Sequence, residues 1–206
     1  MTTSRRRAKR LVGVAMPVVL SALLLAGCGG GSSGTQNTGY DRGAGIVEQI
    51  DAGDRESLEP ITGRLLDGGQ YDSRDHIGEV VVYNVWGSWC GPCRKEAPEL
   101  RKVWQETRAK GVQFVGLDVK DNDTAALAFE RRYKIGYPSI TSKDSSTALL
   151  AFGTRLPPNA VPSTMIVDQE GRLAARIIGP TTATTLRELV AAALAETTTT
   201  RKENQG

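Results

Sequence analysis

Two cysteines two residues apart, in Trp89-Cys90-Gly91-Pro92-Cys93, stand between stretches of opposite periodicity. Ahead of them, Val80 to Trp86 is an almost unbroken β-branched and aromatic run, the composition of a buried strand. Behind them, Arg94 to Lys110 carries Ala97, Leu100, Val103 and Trp104 at helical spacing. This order confines the fold: a core strand ends, the chain turns at the cysteines, and a helix packs back. Cys90 then sits at a helix start, where unpaired N–H groups and the helix dipole favour a thiolate. The thiolate is the nucleophile of disulfide exchange, so the pair reads as a dithiol that opens and closes.

Other uses of the pair are poorly supplied. Zinc takes four ligands, and beyond these two cysteines the chain has only Cys28 and one histidine, His76. Copper delivery wants a CxxxC motif and a distant histidine, whereas the spacing here is CxxC and His76 lies in a polar loop ahead of it. A bridge across two residues closes too small a loop to stabilise much. The lone peroxidatic cysteine of a peroxidase, with Thr/Ser and Arg around it, is absent. No metal and no cofactor are expected. The non-enzymatic alternative is a binding protein with an inert dithiol.

The N-terminus sets the compartment. Arg5-Arg6-Arg7-Ala8-Lys9-Arg10 precedes an apolar stretch from Leu11 to Leu25, interrupted by Pro17, and then small residues. That is an export signal, too short for a comfortable membrane span. Ser4-Arg5-Arg6-Arg7 lacks the apolar residue expected after a twin-arginine pair. Leu25-Ala26-Gly27-Cys28 resembles the lipobox of bacterial lipoproteins, which implies cleavage before Cys28 and acyl chains on it. The formal charge of +3 owes five basic residues to this segment, so the chain from Cys28 onward is at −2. The apparent basicity therefore implies no nucleic-acid partner.

The expected organisation is a signal over 1–27, a Gly/Ser-rich tether and polar linker over 28–57, one domain over 58–196, and a disordered tail over 197–206. Within the linker, Ile46 to Ile50 reads as a short helical turn. Strands are expected at Ile61–Leu66, Val80–Trp86 and Val112–Val119, and a helix capped at Asp123-Thr124 runs to Tyr133. Tyr137 to Ile140 looks extended and 145–152 helical. Thr164–Asp168 and Leu173–Gly179 form a hairpin, and a helix covers Thr182 to Glu196. The predicted class is α/β, a mixed central sheet with helices on both faces, an extra N-terminal strand region and a helix-containing central insert.

Residues 58–196 resemble the thioredoxin superfamily, in its membrane-anchored extracytoplasmic TlpA/ResA-type branch. Carrying the resemblance are Trp89-Cys90-Gly91-Pro92-Cys93, Pro98 in the following helix, Val161-Pro162-Ser163-Thr164 ahead of a strand, the spacer from Asp121 to Tyr137, and the turn Asp168-Gln169-Glu170-Gly171. It implies that Cys90 attacks, that Cys93 resolves, that Gly91 and Pro92 shape the turn, and that Pro162 is cis. Trp89, Val161 and Pro162 would meet the substrate. Glu96 matches an acid that this branch holds near the dithiol, where it would raise the thiol pKa values and relay a proton. Asn84, six residues before Cys90, stands where cytoplasmic relatives carry a titrating aspartate. By itself it reads as a strand residue bonded to neighbouring backbone.

The expected activity is therefore exchange with protein disulfides on the outer face of the cytoplasmic membrane, by a monomer anchored through Cys28. The resemblance implies a reductant recharged by a membrane thiol carrier, with cytochrome c maturation as one role. A disulfide-forming oxidase would use the same residues.

Overall fold

The computed structural model describes residues 37–40 and 45–203, with side-chain surroundings from 45 to 195. The expected signal segment and Cys28 lie outside the described residues. Among those described, no helix is long and apolar enough to cross a membrane.

A seven-stranded sheet organises the chain in the order β1-β2-β9-β8-β5-β6-β7. Strands β5 (Val80–Trp86), β6 (Val112–Asp118) and β7 (Ser139–Ile140) run parallel. β8 (Ser163–Val167) and β9 (Leu173–Ile178) complete it as an antiparallel hairpin on the other side of β5. Every residue of β5 is buried, and alternate side chains enter opposite cores. Val80 and Val82 join Leu100 and Val103 of α1 (Gly91–Thr107) and Leu186 and Val190 of α4 (Ala183–Glu203). Val81, Tyr83 and Val85 face Met165, Leu173, Ala148 and Phe152. Here α3 (Ser142–Ala148), a 3-10 segment at Leu149–Arg155, and the small sheet of β3 (Thr62–Arg64) and β4 (Gln70–Asp72) close the second face. Helices thus cover both faces, as a strand apolar on both sides requires.

Four local expectations are corrected. Ile46 to Gln49 is strand β2 rather than a helical turn, paired antiparallel with β9 from Ile46↔Ile178 to Gln49↔Ala175. β1 (Asn37–Tyr40) pairs with it in turn, so the sheet begins well before Leu58. Tertiary pairing decides a five-residue stretch too short to hold a helix by itself. α2 (Asp123–Tyr133) is capped one residue earlier than expected, by Asn122, whose Oδ1 accepts the Ala125 N–H at 3.0 Å. The expected helix at 145–152 splits into α3 and the 3-10 turn, which bends at Gly153 (φ 51°, ψ −132°). Finally, α4 continues to Glu203, through residues expected to be disordered. Extending a formed helix costs far less than starting one, which carries it across the Thr197–Thr200 run.

α1 stops where expected. After the 3-10 turn Arg108–Lys110, Gly111 takes φ 78°, a left-handed conformation that Gly adopts without a Cβ clash.

Candidate active site

β5 ends at Trp86, and the next four residues carry the chain across the sheet end to α1. Cys90 is the N-cap, with Pro92 in the first helical turn where a missing N–H costs nothing. The Cys90 and Cys93 sulfurs are joined, with Cα atoms 5.3 Å apart. The Cys90 sulfur also accepts the Cys93 N–H at 3.2 Å. In the reduced form that N–H, with the dipole of the 17-residue helix behind it, is what a Cys90 thiolate would meet. Exposure does not separate the two cysteines in this oxidised form: Cys90 is 3% and Cys93 1% exposed. The helix cap, not exposure, distinguishes Cys90.

The loop ahead of Cys90 is clamped by the end of β6. Val119 N–H donates to Trp86 O at 2.9 Å, Trp89 Nε1 donates to Val119 O at 3.1 Å, and Ser88 N–H donates to Asp121 Oδ2 at 2.6 Å. Gly87 is required here, since a Cβ would lie 2.5 Å from Trp89 Nε1. From the other side Arg94 reaches Ser88 O at 2.9 Å. Trp89 is half exposed beside the dithiol, whereas Trp86 is buried and stacks on Phe129 with ring centroids 4.4 Å apart. Sequence reasoning missed Asp121 as a clamp, because its partner is 33 residues away and only β6 pairing brings them together.

Val161-Pro162 is a cis peptide. Val161 packs against the cluster that holds Cys90 and Cys93, so the structure brings the expected substrate loop to the dithiol. Pro162 O accepts the Gly179 N–H at 2.9 Å and Ser163 Oγ donates to Ala160 O at 2.8 Å.

Glu96 is no surface residue; it is 2% exposed. Its Oε1 accepts Asn84 Nδ2 at 3.0 Å and its Oε2 accepts the Thr181 N–H at 3.0 Å. Burial pushes its carboxyl up to about 7, against the lowering effect of those two donors. Asn84 also reaches Ser163 O and Thr164 Oγ1, both at 3.4 Å, so its partners extend past backbone to the buried acid. Asn84, bonded to Glu96, lines one small void together with Cys93.

A second acid escaped sequence reasoning. Asp118, at the end of β6 opposite Trp86, is fully buried, and neither carboxylate oxygen has a hydrogen-bond partner among the described residues. Burial first, then repulsion from Asp121, Asp123 and Glu130, raises it to about 8. A carboxylate inside the strand-like Val112–Val119 run, between Leu117 and Val119, was the available signal. His76 sits in a 3-10 turn, stacked on Tyr71 and paired with Glu79 at 2.8 Å.

The Redoxin family profile matches residues 55–193. The chain belongs to that family. Within it, the fold and dithiol are those of a thioredoxin-superfamily protein of the TlpA/ResA type. It is 29% identical over 117 residues to the thiol-disulfide oxidoreductase ResA of Bacillus cereus, a match spanning 57% of this chain and 65% of that relative. It is 36% identical over 117 residues to the thiol:disulfide interchange protein DsbE of Allochromatium vinosum, over 56% and 61% of the two lengths. The match thus spans somewhat less than two thirds of these relatives. Among solved structures, a secreted thiol-disulfide isomerase from Corynebacterium glutamicum superposes with a TM-score of 0.68 at 27% identity, over 77% of this chain and 97% of that one. A DsbF homologue from Corynebacterium diphtheriae gives 0.66 at 28%, over 76% and 99%.

Proposed function

We propose that this chain is an extracytoplasmic thiol–disulfide oxidoreductase that reduces protein disulfides through Cys90 and Cys93. The observation that carries the reading is the joined pair at the N-cap of α1, with the Val161-Pro162 loop packed against it. The Cys90 thiolate attacks one sulfur of a partner disulfide, forming a mixed disulfide and releasing the other partner sulfur as thiolate. Cys93 gives up its proton and attacks the Cys90 sulfur, which frees the second partner thiol and leaves the pair oxidised. Two electrons pass to the partner, and a membrane thiol carrier returns them.

The partner chain lies extended along Val161, two residues before Ser163 opens β8, and pairs with backbone there. Trp89 covers it from the other side. Glu96, on the buried face of α1, adds negative charge once ionised, raises the thiol pKa values and takes up protons near neutral pH. The Gly91-Pro92 turn resembles that of reducing thioredoxins, which supports reduction over oxidation. Likeness to ResA and DsbE proteins and the lipobox-like Leu25-Ala26-Gly27-Cys28 support work at the outer face of the cytoplasmic membrane, with cytochrome c maturation as the setting.

Insulin reduction with dithiothreitol tests the activity, and the midpoint potential of the pair against glutathione tests its direction. A midpoint below about −200 mV is expected; one near about −120 mV would make the chain an oxidase.

A further inference from the structure

The surface around the dithiol continues beyond Val161. An open apolar groove of about 450 Å³ begins at Val161 and Val119 and extends beneath the 3-10 turn Leu149–Arg155 to the Pro157-Pro158 loop. That volume is within the range of pockets that hold a ligand group. Buried Val85 and half-buried Leu149 and Leu156 line it. Leu150, on the same turn, is 76% exposed, the most exposed of the large hydrophobic side chains among the described residues.

Two observations tie this groove to the redox surface. First, its inner end is shared with the dithiol: Val119 O holds the Trp89 indole, and Val161 packs in the cluster of Cys90 and Cys93. A polypeptide seated over the cysteines is therefore already at the groove. Second, two of the three non-glycine residues with positive φ among the described residues, Lys120 (52°) and Asn159 (65°), belong to its lining, and Lys120 Nζ donates to Asn159 Oδ1. Left-handed backbone at residues other than Gly costs energy and gathers at ligand-holding sites.

An extended chain places alternate side chains on one face, with residues two apart about 7 Å from each other. We propose that the groove receives an apolar side chain of the substrate, two residues from the cysteine under attack. The protein thereby selects disulfides flanked by aliphatic or aromatic residues. The inference rests on the oxidoreductase reading and adds the substrate class to it. The groove-specific walls, Leu149 to Leu156 and Pro157-Pro158, do the selecting, while Cys90 and Cys93 do the exchange.

The test uses the full chain in its reduced form. It compares symmetric disulfides of short peptides that differ only in having leucine or serine two positions from the cysteine. Hydroxyethyl disulfide, which has no flanking chain, is measured alongside. The leucine peptide is expected to exceed the serine peptide about tenfold in the second-order rate constant for single-turnover oxidation of the dithiol, the discrimination an apolar pocket supplies. Leu150→Gln removes the exposed apolar rim, and Ser146→Trp fills the groove from the face of α3. Both positions are exposed, so the fold should survive, and each variant should cut the leucine advantage by at least about threefold. If hydroxyethyl disulfide fails to oxidise the protein, the oxidoreductase reading itself falls. If it reacts and the two peptides react equally, the groove proposal alone is overturned. A leucine advantage that survives both variants also overturns it, since the selecting surface then lies elsewhere. Equal peptide rates with a sedimentation coefficient that rises with concentration would assign the groove to a second copy of this chain.

Discussion

At the scale of single residues, the dithiol and its buried acid set two separate expectations. Cys90 caps α1 and Cys93 lies inside its first turn, so the former meets the helix dipole end directly and the latter sits behind it. Cys93→Ser should accumulate stable mixed disulfides with partners, while Cys90→Ser should trap few. Mass spectrometry of the trapped species reads this directly, and the reverse pattern would exchange the two roles. Glu96 also bears on stability, because both its oxygens are bonded, to Asn84 and to the Thr181 backbone. Its pKa, raised to about 7 from an ordinary 4.5, means the folded protein holds this proton more tightly than the unfolded chain. The associated stability is complete below pH 4.5 and is lost as pH rises through about 7, in all about 3 kcal/mol. Glu96→Gln titrates nowhere, and its amide nitrogen faces a donor. The variant should melt below the parent near pH 5, and the gap should close or reverse near pH 8. Its thiols should become more acidic, as pH-dependent alkylation would detect. A gap that does not change with pH would mean Glu96 is ionised throughout.

At the scale of elements, what could be read in advance depended on the distance to the partner. β5 and α1 carry their own pattern: a β-branched run, then apolar residues at helical spacing, joined by a capping cysteine and Pro92. β2 carries none. Its four residues are a strand because β9 lies alongside, and Arg176 of that strand pairs with Glu48. The cysteines, Pro162 and Trp89 announced the site through a local motif. Asp118 and Asp121 took their meaning only once parallel pairing of β5 with β6 set them against the loop, and Asn84 only once α1 and β8 packed beside β5. The Asp168 turn was legible as a turn, but its anchor was not. Arg55, over a hundred residues earlier, is buried with its guanidinium donating to Asp168 Oδ2 at 3.2 Å and to Ile50 O at 2.9 Å. This pins the segment after β2 to the β8–β9 turn. Arg55→Leu keeps the apolar stem and deletes the charge. Asp168 retains Arg172 at 2.9 Å, so the loss should fall near the lower end of the cost of breaking a buried pair, about 3 kcal/mol. Denaturant midpoints would measure it. Insulin reduction should persist at temperatures where the variant is folded, because the dithiol is built from β5, β6 and α1.

At the scale of the whole molecule, the folded domain and the proposed export and lipidation signal lie in different parts of the chain. The Redoxin match begins at residue 55, and the sheet already includes β1 and β2 before it, so the folded body extends toward the N-terminus. Ahead of it, Gly29-Gly30-Gly31-Ser32-Ser33-Gly34 has the composition of a flexible tether, and Leu25-Ala26-Gly27-Cys28 that of a lipidation signal. A single acyl chain binds a membrane only marginally, whereas two or more hold it stably, so anchoring should depend on complete modification of Cys28. Cys28 is also a third thiol, and acylation would remove it from competition with Cys90 and Cys93 for partner disulfides. Cys28→Ala should therefore leave the protein unprocessed or release it from the membrane fraction, with insulin reduction by the soluble form intact. Fractionation followed by mass measurement of the N-terminal peptide decides this. Normal processing and full membrane retention of the variant would show that some other segment holds the protein at the bilayer.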